Sequence, residues 1–113
     1  MDPIEITSLS EWRDWLAGPA SACGDVWVVI YKKASGRQTI SFDELLEEAL
    51  CWGLVDTQTK GVDEERYSIR FRRRRPGSHW SATNRLIICR LLDERRVQPA
   101  GEATLPADLT CPP

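Results

Sequence analysis

Residues 66–84, RYSIRFRRRRPGSHWSATN, decide the fold, because one short run passes from strand periodicity to a helix start. From Arg66 to Arg74 the alternation is that of a β-strand: Tyr67, Ile69 and Phe71 point to one side, and Arg66, Ser68, Arg70, Arg72 and Arg74 to the other. Pro76-Gly77 then ends the strand. Ser78 or Ser81 offers an N-cap for a helix running to about Arg96, with Ile87, Ile88, Leu91 and Leu92 on its apolar side. Asn84 falls in the middle of that side, where a buried amide must either tie the helix to a neighbouring backbone or point into a pocket.

Upstream the same logic yields more elements. Ser8 with Glu11 three residues later opens a helix whose Leu9, Trp12, Trp15 and Leu16 share a face before Gly18-Pro19 stops it. VWVVIYKK (26–33) is β-branched and aromatic on both alternating faces, as in an interior strand. Gln38 to Ile40 has room for a short strand. Ser41-x-x-Glu44 is a second capping box, opening FDELLEEALCW with Phe42, Leu45, Leu46, Ala49, Leu50 and Trp52 on one side. Asp43, Glu44, Glu47 and Glu48 form the other side, read as a solvated face. Gly53 ends this helix, and Leu54-Val55-Asp56 reads as a short strand. VQPAGEATLPADLTCPP (97–113) reads as a helical turn and a loose, Pro-rich tail.

With 113 residues, 42% of them hydrophobic and 28% charged, the chain has material for one domain, placed at residues 1–105 with a tail at 106–113. Its net charge of −2 argues against indiscriminate binding of nucleic acid by a uniformly basic surface. Six of the fifteen cationic residues nevertheless lie between Arg66 and Arg75. No apolar run is long enough to span a membrane, and the amino terminus lacks the basic start and apolar core of a signal peptide, so a cytoplasmic location is expected. Cys23, Cys51, Cys89 and Cys111 are scattered without a C-x-x-C pair and His79 is the only histidine. This predicts separate free thiols and no metal or other cofactor.

In a strand, same-face residues are about 6.6 Å apart, so Arg70, Arg72 and Arg74 would form a row of guanidinium forks suited to carboxylates or phosphates. The helix that follows brings free N–H groups and its positive dipole end beside them. Asp56, on the neighbouring short strand, is a salt-bridge candidate for Arg70 or Arg74. The predicted ligand-binding set is therefore Asp56, Arg70, Arg72, Arg74, Ser78, Trp80, Ser81 and Asn84, with no catalytic residue. Its expected partner is an anionic small molecule, a nucleic acid or an acidic protein segment.

Residues 47–84, EEALCWGLVDTQTKGVDEERYSIRFRRRRPGSHWSATN, resemble the central signature of the bacterial YdeI/OmpD-associated proteins. The shared features are a helix ending in Gly before a short strand with Asp, then Asp-Glu, an arginine-bearing strand, and Ser-x-Trp-Ser-x-x-Asn. EWRDWL and VWVVIYKKASGRQTISFDE match that family's opening in order and spacing, so the resemblance covers about residues 8–105. Gly53, Asp56, Arg70, Phe71, Arg74, Pro76, Ser78, Trp80, Ser81 and Asn84 match; Leu54 replaces a usual Trp and Arg73 a usual Pro.

The resemblance implies an α+β domain similar to the YjbR/CyaY-like superfamily: a small antiparallel sheet packed with helices, in the order α-β-(β)-α-β-β-α-α. It implies a minimal version without the carboxy-terminal helical region of longer relatives. It also carries a label of bacteriocin protection but no settled reaction. The function that follows is a non-enzymatic module binding an anionic ligand or partner through the arginine strand and the Ser-x-Trp-Ser turn. The alternatives are a stress-response interaction protein without a small-molecule site, and a hydrolase with Ser78, Ser81 or Cys51 as nucleophile, His79 as base and Asp56 as orienter.

Overall fold

The computed structural model describes residues 2–75 and 77–112; the expected break at Pro76 and that residue's family match lie outside the described residues. The elements are β1 (Ile4–Glu5), α1 (Leu9–Ala17), β2 (Asp25–Tyr31), α2 (Phe42–Cys51), β3 (Leu54–Gly61), β4 (Arg66–Arg73), α3 (Ala82–Asp93) and α4 (Pro99–Glu102). They build an α+β fold around a four-stranded sheet in the order β1-β2-β4-β3. β2–β4 and β3–β4 are antiparallel, while β1 pairs parallel to β2 through Ile4–Val28 and Glu5–Val29. The sheet is therefore mixed, not purely antiparallel. The expected strand at Gln38–Ile40 does not form, although Ile40 is buried in the core. β3 extends to Gly61, well beyond the predicted Asp56, because it pairs with β4 along a full hairpin.

Burial along β2 alternates strictly. Val26, Val28 and Ile30 are enclosed, while Asp25, Trp27, Val29 and Tyr31 are only half-buried. The sheet thus has one covered face, where Ile69, Phe71 and Leu54 join Trp12, Leu16, Leu45 and Ala49 from α1 and α2. The expectation that β2 is apolar-packed on both sides is corrected accordingly. Trp12 ties the two helices together by donating its indole N–H to the Leu45 carbonyl at 3.0 Å.

All three long helices begin where their caps predicted. Ser8 accepts from Glu11 N, Ser41 and Glu44 form a complete capping box, and Ser81 accepts from Asn84 N. The end of α3 departs from expectation. It stops at Asp93, and Arg95 takes a left-handed conformation (φ 58°) while Arg96 N donates to Leu91 O and Arg95 N to Leu92 O. This is a Schellman termination, with arginine at the position that usually holds glycine.

A second cluster, Leu46, Leu50, Cys51, Trp80, Ile88 and Leu91, joins α2 to α3 and the loop before it. α4 abuts the end of α2 so closely that a Cβ on Gly101 would lie 2.3 Å from Cys51 O. Gly53 (φ 83°) makes the adjoining corner, where a Cβ would meet Ala100 O at 2.7 Å. The carboxy-terminal segment lies back on the domain. Leu105 and Leu109 pack on the second cluster, Asp108 pairs with Arg85, and Cys111 is disulfide-bonded to Cys89 of α3. The expectation of four separate thiols is thus corrected for Cys89 and Cys111: the returning tail brings together two cysteines far apart in sequence.

Candidate functional site

β4 presents its polar side to the uncovered face of the sheet, and there Arg70 is already engaged. Its Nε donates to Asp25 Oδ1 at 2.9 Å and its Nη2 to Asp25 Oδ2 at 2.6 Å, a bidentate pair, while Nη1 donates to Gln58 Oε1 at 3.1 Å. The pairing follows from register, since Asp25 faces Arg72 and Trp27 faces Arg70 across the β2–β4 ladder. The expected partner, Asp56, is instead aligned with Phe71 and makes no salt bridge among the described residues. Hydrogen bonding from Arg70 holds the Asp25 carboxyl below its usual range. Arg72 is exposed, and only its Nε, at 4.0 Å, approaches Asp25.

Arg74 is not part of that row. β4 ends at Arg73, so the alternation does not carry one residue further. The Arg74 guanidinium lies 3.9 Å from the centre of the Trp80 ring, and both residues are buried (7% and 2% exposed). Its Nη1 donates to Ser78 Oγ at 3.3 Å and to the His79 carbonyl at 3.1 Å. Burial lowers its pKa from the ordinary arginine value, with the charge of Asp56 opposing. The predicted set is thereby divided. Arg74, Ser78 and Trp80 share one location, next to Ser81 and Asn84 at the start of α3, while Arg70 and Arg72 stand elsewhere with Asp25. Asn84 is only half-buried, one turn into a helix whose buried positions begin at Ile88.

The hydrolase components do not assemble among the described residues. Ser78 is held by Arg74, Ser81 by the backbone of Asn84, and His79 is exposed without a hydrogen bond to either hydroxyl. Burial, and then the charge of Glu48, push the Cys51 thiol up to about 11, far from the thiolate a nucleophile requires. No group of His, Cys, Asp and Glu able to hold a metal occurs among the described residues, nor any helix long and apolar enough to cross a membrane.

The uncovered face contains more than the predicted residues. Trp27 stands between two clefts, one of about 310 Å³ bounded by Cys23, Asp25, Val26 and Arg70, the other of about 350 Å³ bounded by Pro3, Val29, Lys60, Gly61, Val62 and Ser68. The Arg70 guanidinium lies 5.9 Å from the centre of the Trp27 ring. Trp27 is not singled out by a strand apolar on both alternations, which reads as interior, and Asp25 lies before the expected strand at 26–33 although β2 begins with it. The signal that finds them is cross-strand register, which places both opposite the arginines.

The family described as a domain of unknown function (DUF8412) matches residues 4–104. No curated protein and no solved structure matches the chain.

Proposed function

The chain belongs to the DUF8412 family, and we propose that it is a non-enzymatic binding module whose ligand surface is the uncovered sheet face around Trp27, Arg70 and Arg72. One observation carries this reading: an indole flanked by two clefts has, on the strand beside it, a fixed guanidinium and a second exposed one. An aromatic surface next to arginine forks suits a ligand with a planar or apolar part and negative charge. Asp25 and Gln58 engage all three nitrogens of Arg70, so Arg70 orients while Arg72 meets the anion. Arg74, Ser78 and Trp80 serve this surface as packing. They fix the end of β4 against α3 and leave the anion to residues further up the strand.

Kinship with the YdeI/OmpD-associated proteins is kept as part of this proposal, on the arginine-bearing strand and the Ser-x-Trp-Ser-x-x-Asn run.

Amide chemical shifts recorded during titration with inorganic pyrophosphate test the reading. Shifts confined to residues 25–29, 58–60 and 70–72 are expected. Changes centred instead on residues 78–84 would move the site to the start of α3 and overturn it.

A further inference from the structure

We infer that the uncovered sheet face takes single-stranded nucleic acid, with a base stacked on Trp27 and the phosphate chain following Arg72 and Lys60. The inference rests on the binding-module reading and narrows its ligand class. Trp27 is the one residue shared by the two clefts, with Arg70 beside the cleft that also holds Asp25, so the indole borders open space where a base can stack on it. Stacking of bases on aromatic side chains of a sheet, with basic residues beside it, is how single strands are held without a groove-reading helix.

Position and charge agree. Lys60 on β3 is paired with Ser68, two same-face steps of about 6.6 Å each along β4 from Arg72, so the two side chains would meet phosphates that are not adjacent on the chain. Arg66 is occupied by Asp63 and Glu5, and Arg70 by Asp25, which leaves, among the described residues, Lys60 and Arg72, whose contact with Asp25 is at 4.0 Å, as the cations of this face open to phosphate. Val62, 46% exposed, borders the cleft beside Lys60 and offers a sugar or base an apolar edge. Among the described residues α1 and α2 pack on the covered face and α3 packs on α2, so no helix stands on this face to enter the groove of a duplex. A peptide of acidic side chains alone would satisfy the cations but would leave the indole and its clefts unused.

The test is fluorescence anisotropy of a labelled oligothymidylate of about twelve nucleotides, within the range a small sheet platform covers, with the full chain and with Trp27→Leu and Arg72→Ala. Trp27→Leu keeps a large apolar side chain, and circular dichroism verifies its fold. Loss of stacking should weaken binding by about fivefold or more. Arg72→Ala should flatten the dependence of log affinity on log salt by about 0.7, the share of one phosphate on a single strand. Competition with duplex DNA, inorganic polyphosphate and polyglutamate completes the design. If polyphosphate or polyglutamate displaces the oligonucleotide at equal charge and Trp27→Leu binds unchanged, the nucleic-acid assignment fails while the anion-binding face survives. If no anion in the panel binds, both readings fail together.

Discussion

The Arg74 guanidinium lies 3.9 Å from the centre of the Trp80 ring, and neither residue is more than 7% exposed. A cation so enclosed, with no carboxylate in salt-bridge range among the described residues, is held by the ring face and by hydrogen bonds to Ser78 and His79. An exposed arginine could be truncated at little cost, but this one cannot. Arg74→Ala should destabilise the domain by about 2–4 kcal/mol, combining a desolvated cation–π contact with lost charge-assisted hydrogen bonds. Urea denaturation measures this, and a loss below about 0.5 kcal/mol, the ordinary range for surface substitutions, would mean that the pair is not buried in solution.

The caps of α1, α2 and α3 were legible because a Ser side chain and an N–H three residues on are adjacent whatever the rest of the chain does. β1 was not. Two residues, Ile4 and Glu5, carry no periodicity, and their pairing with Val28 and Val29 is a long-range event. Arg74 does share a location with Ser78 and Trp80, as expected, but not the row of Arg70 and Arg72, because the period-2 pattern does not extend past the strand that generates it. Glu48 shows the same limit for helices. The helical wheel put it on a solvated face, yet it is 7% exposed because Arg13 from α1 and Arg96 from beyond α3 close over it, at 3.2 and 3.0 Å. Of the candidate site, the arginines were visible and their pairing was not, because Asp25 lies 45 residues from Arg70 and only sheet register joins them.

The disulfide between Cys89 and Cys111 closes a loop with a sequence separation of 22, and within it Leu105 and Leu109 cover the α2–α3 cluster. Reduction should cost about 3 kcal/mol of stability through the entropy returned to the unfolded chain. It should also speed amide exchange in residues 103–111 before the rest of the fold responds. Thermal melts with and without reductant, compared with Cys89→Ser, measure the first effect, and hydrogen exchange followed residue by residue measures the second. Four titratable thiols in unfolded protein isolated without reductant would show that the bond does not form and would restore the reducing-compartment expectation. A stoichiometric bond would point to an oxidising one.

Arg95 has φ 58°, is exposed, and makes no salt bridge among the described residues. A left-handed conformation costs an ordinary L-residue about 1 kcal/mol or more that glycine does not incur. Arg95→Gly should therefore raise stability by about 1 kcal/mol in chemical denaturation while leaving Arg96, the next residue, in place against Glu48 and Glu94. A decrease would show that the arginine stem contributes packing at the helix end.

Asp25 couples the proposed binding face to pH. Its carboxyl lies below the ordinary range because Arg70 hydrogen-bonds it in the folded state, so the folded pKa is depressed relative to the unfolded chain. The stability the pair contributes is complete above the ordinary aspartate range and is lost as pH falls through the folded value. Carboxyl carbon shifts should place the Asp25 midpoint below that of an exposed aspartate, and Arg70→Gln should return it toward the ordinary range. Ligand binding should move in the opposite direction to stability. Protonating Asp25 removes the negative charge paired with Arg70 and Arg72 and releases the Nε–Nη2 edge of Arg70 for a phosphate. Asp25→Asn reproduces that state at neutral pH. Removing a unit charge about 4 Å from an anion at a solvated surface is worth about 1 kcal/mol, so pyrophosphate should bind Asp25→Asn about fivefold more tightly than the unaltered chain. Equal affinities would show that anions do not dock beside Asp25, and that the Arg70 pair serves only to join β2 to β4.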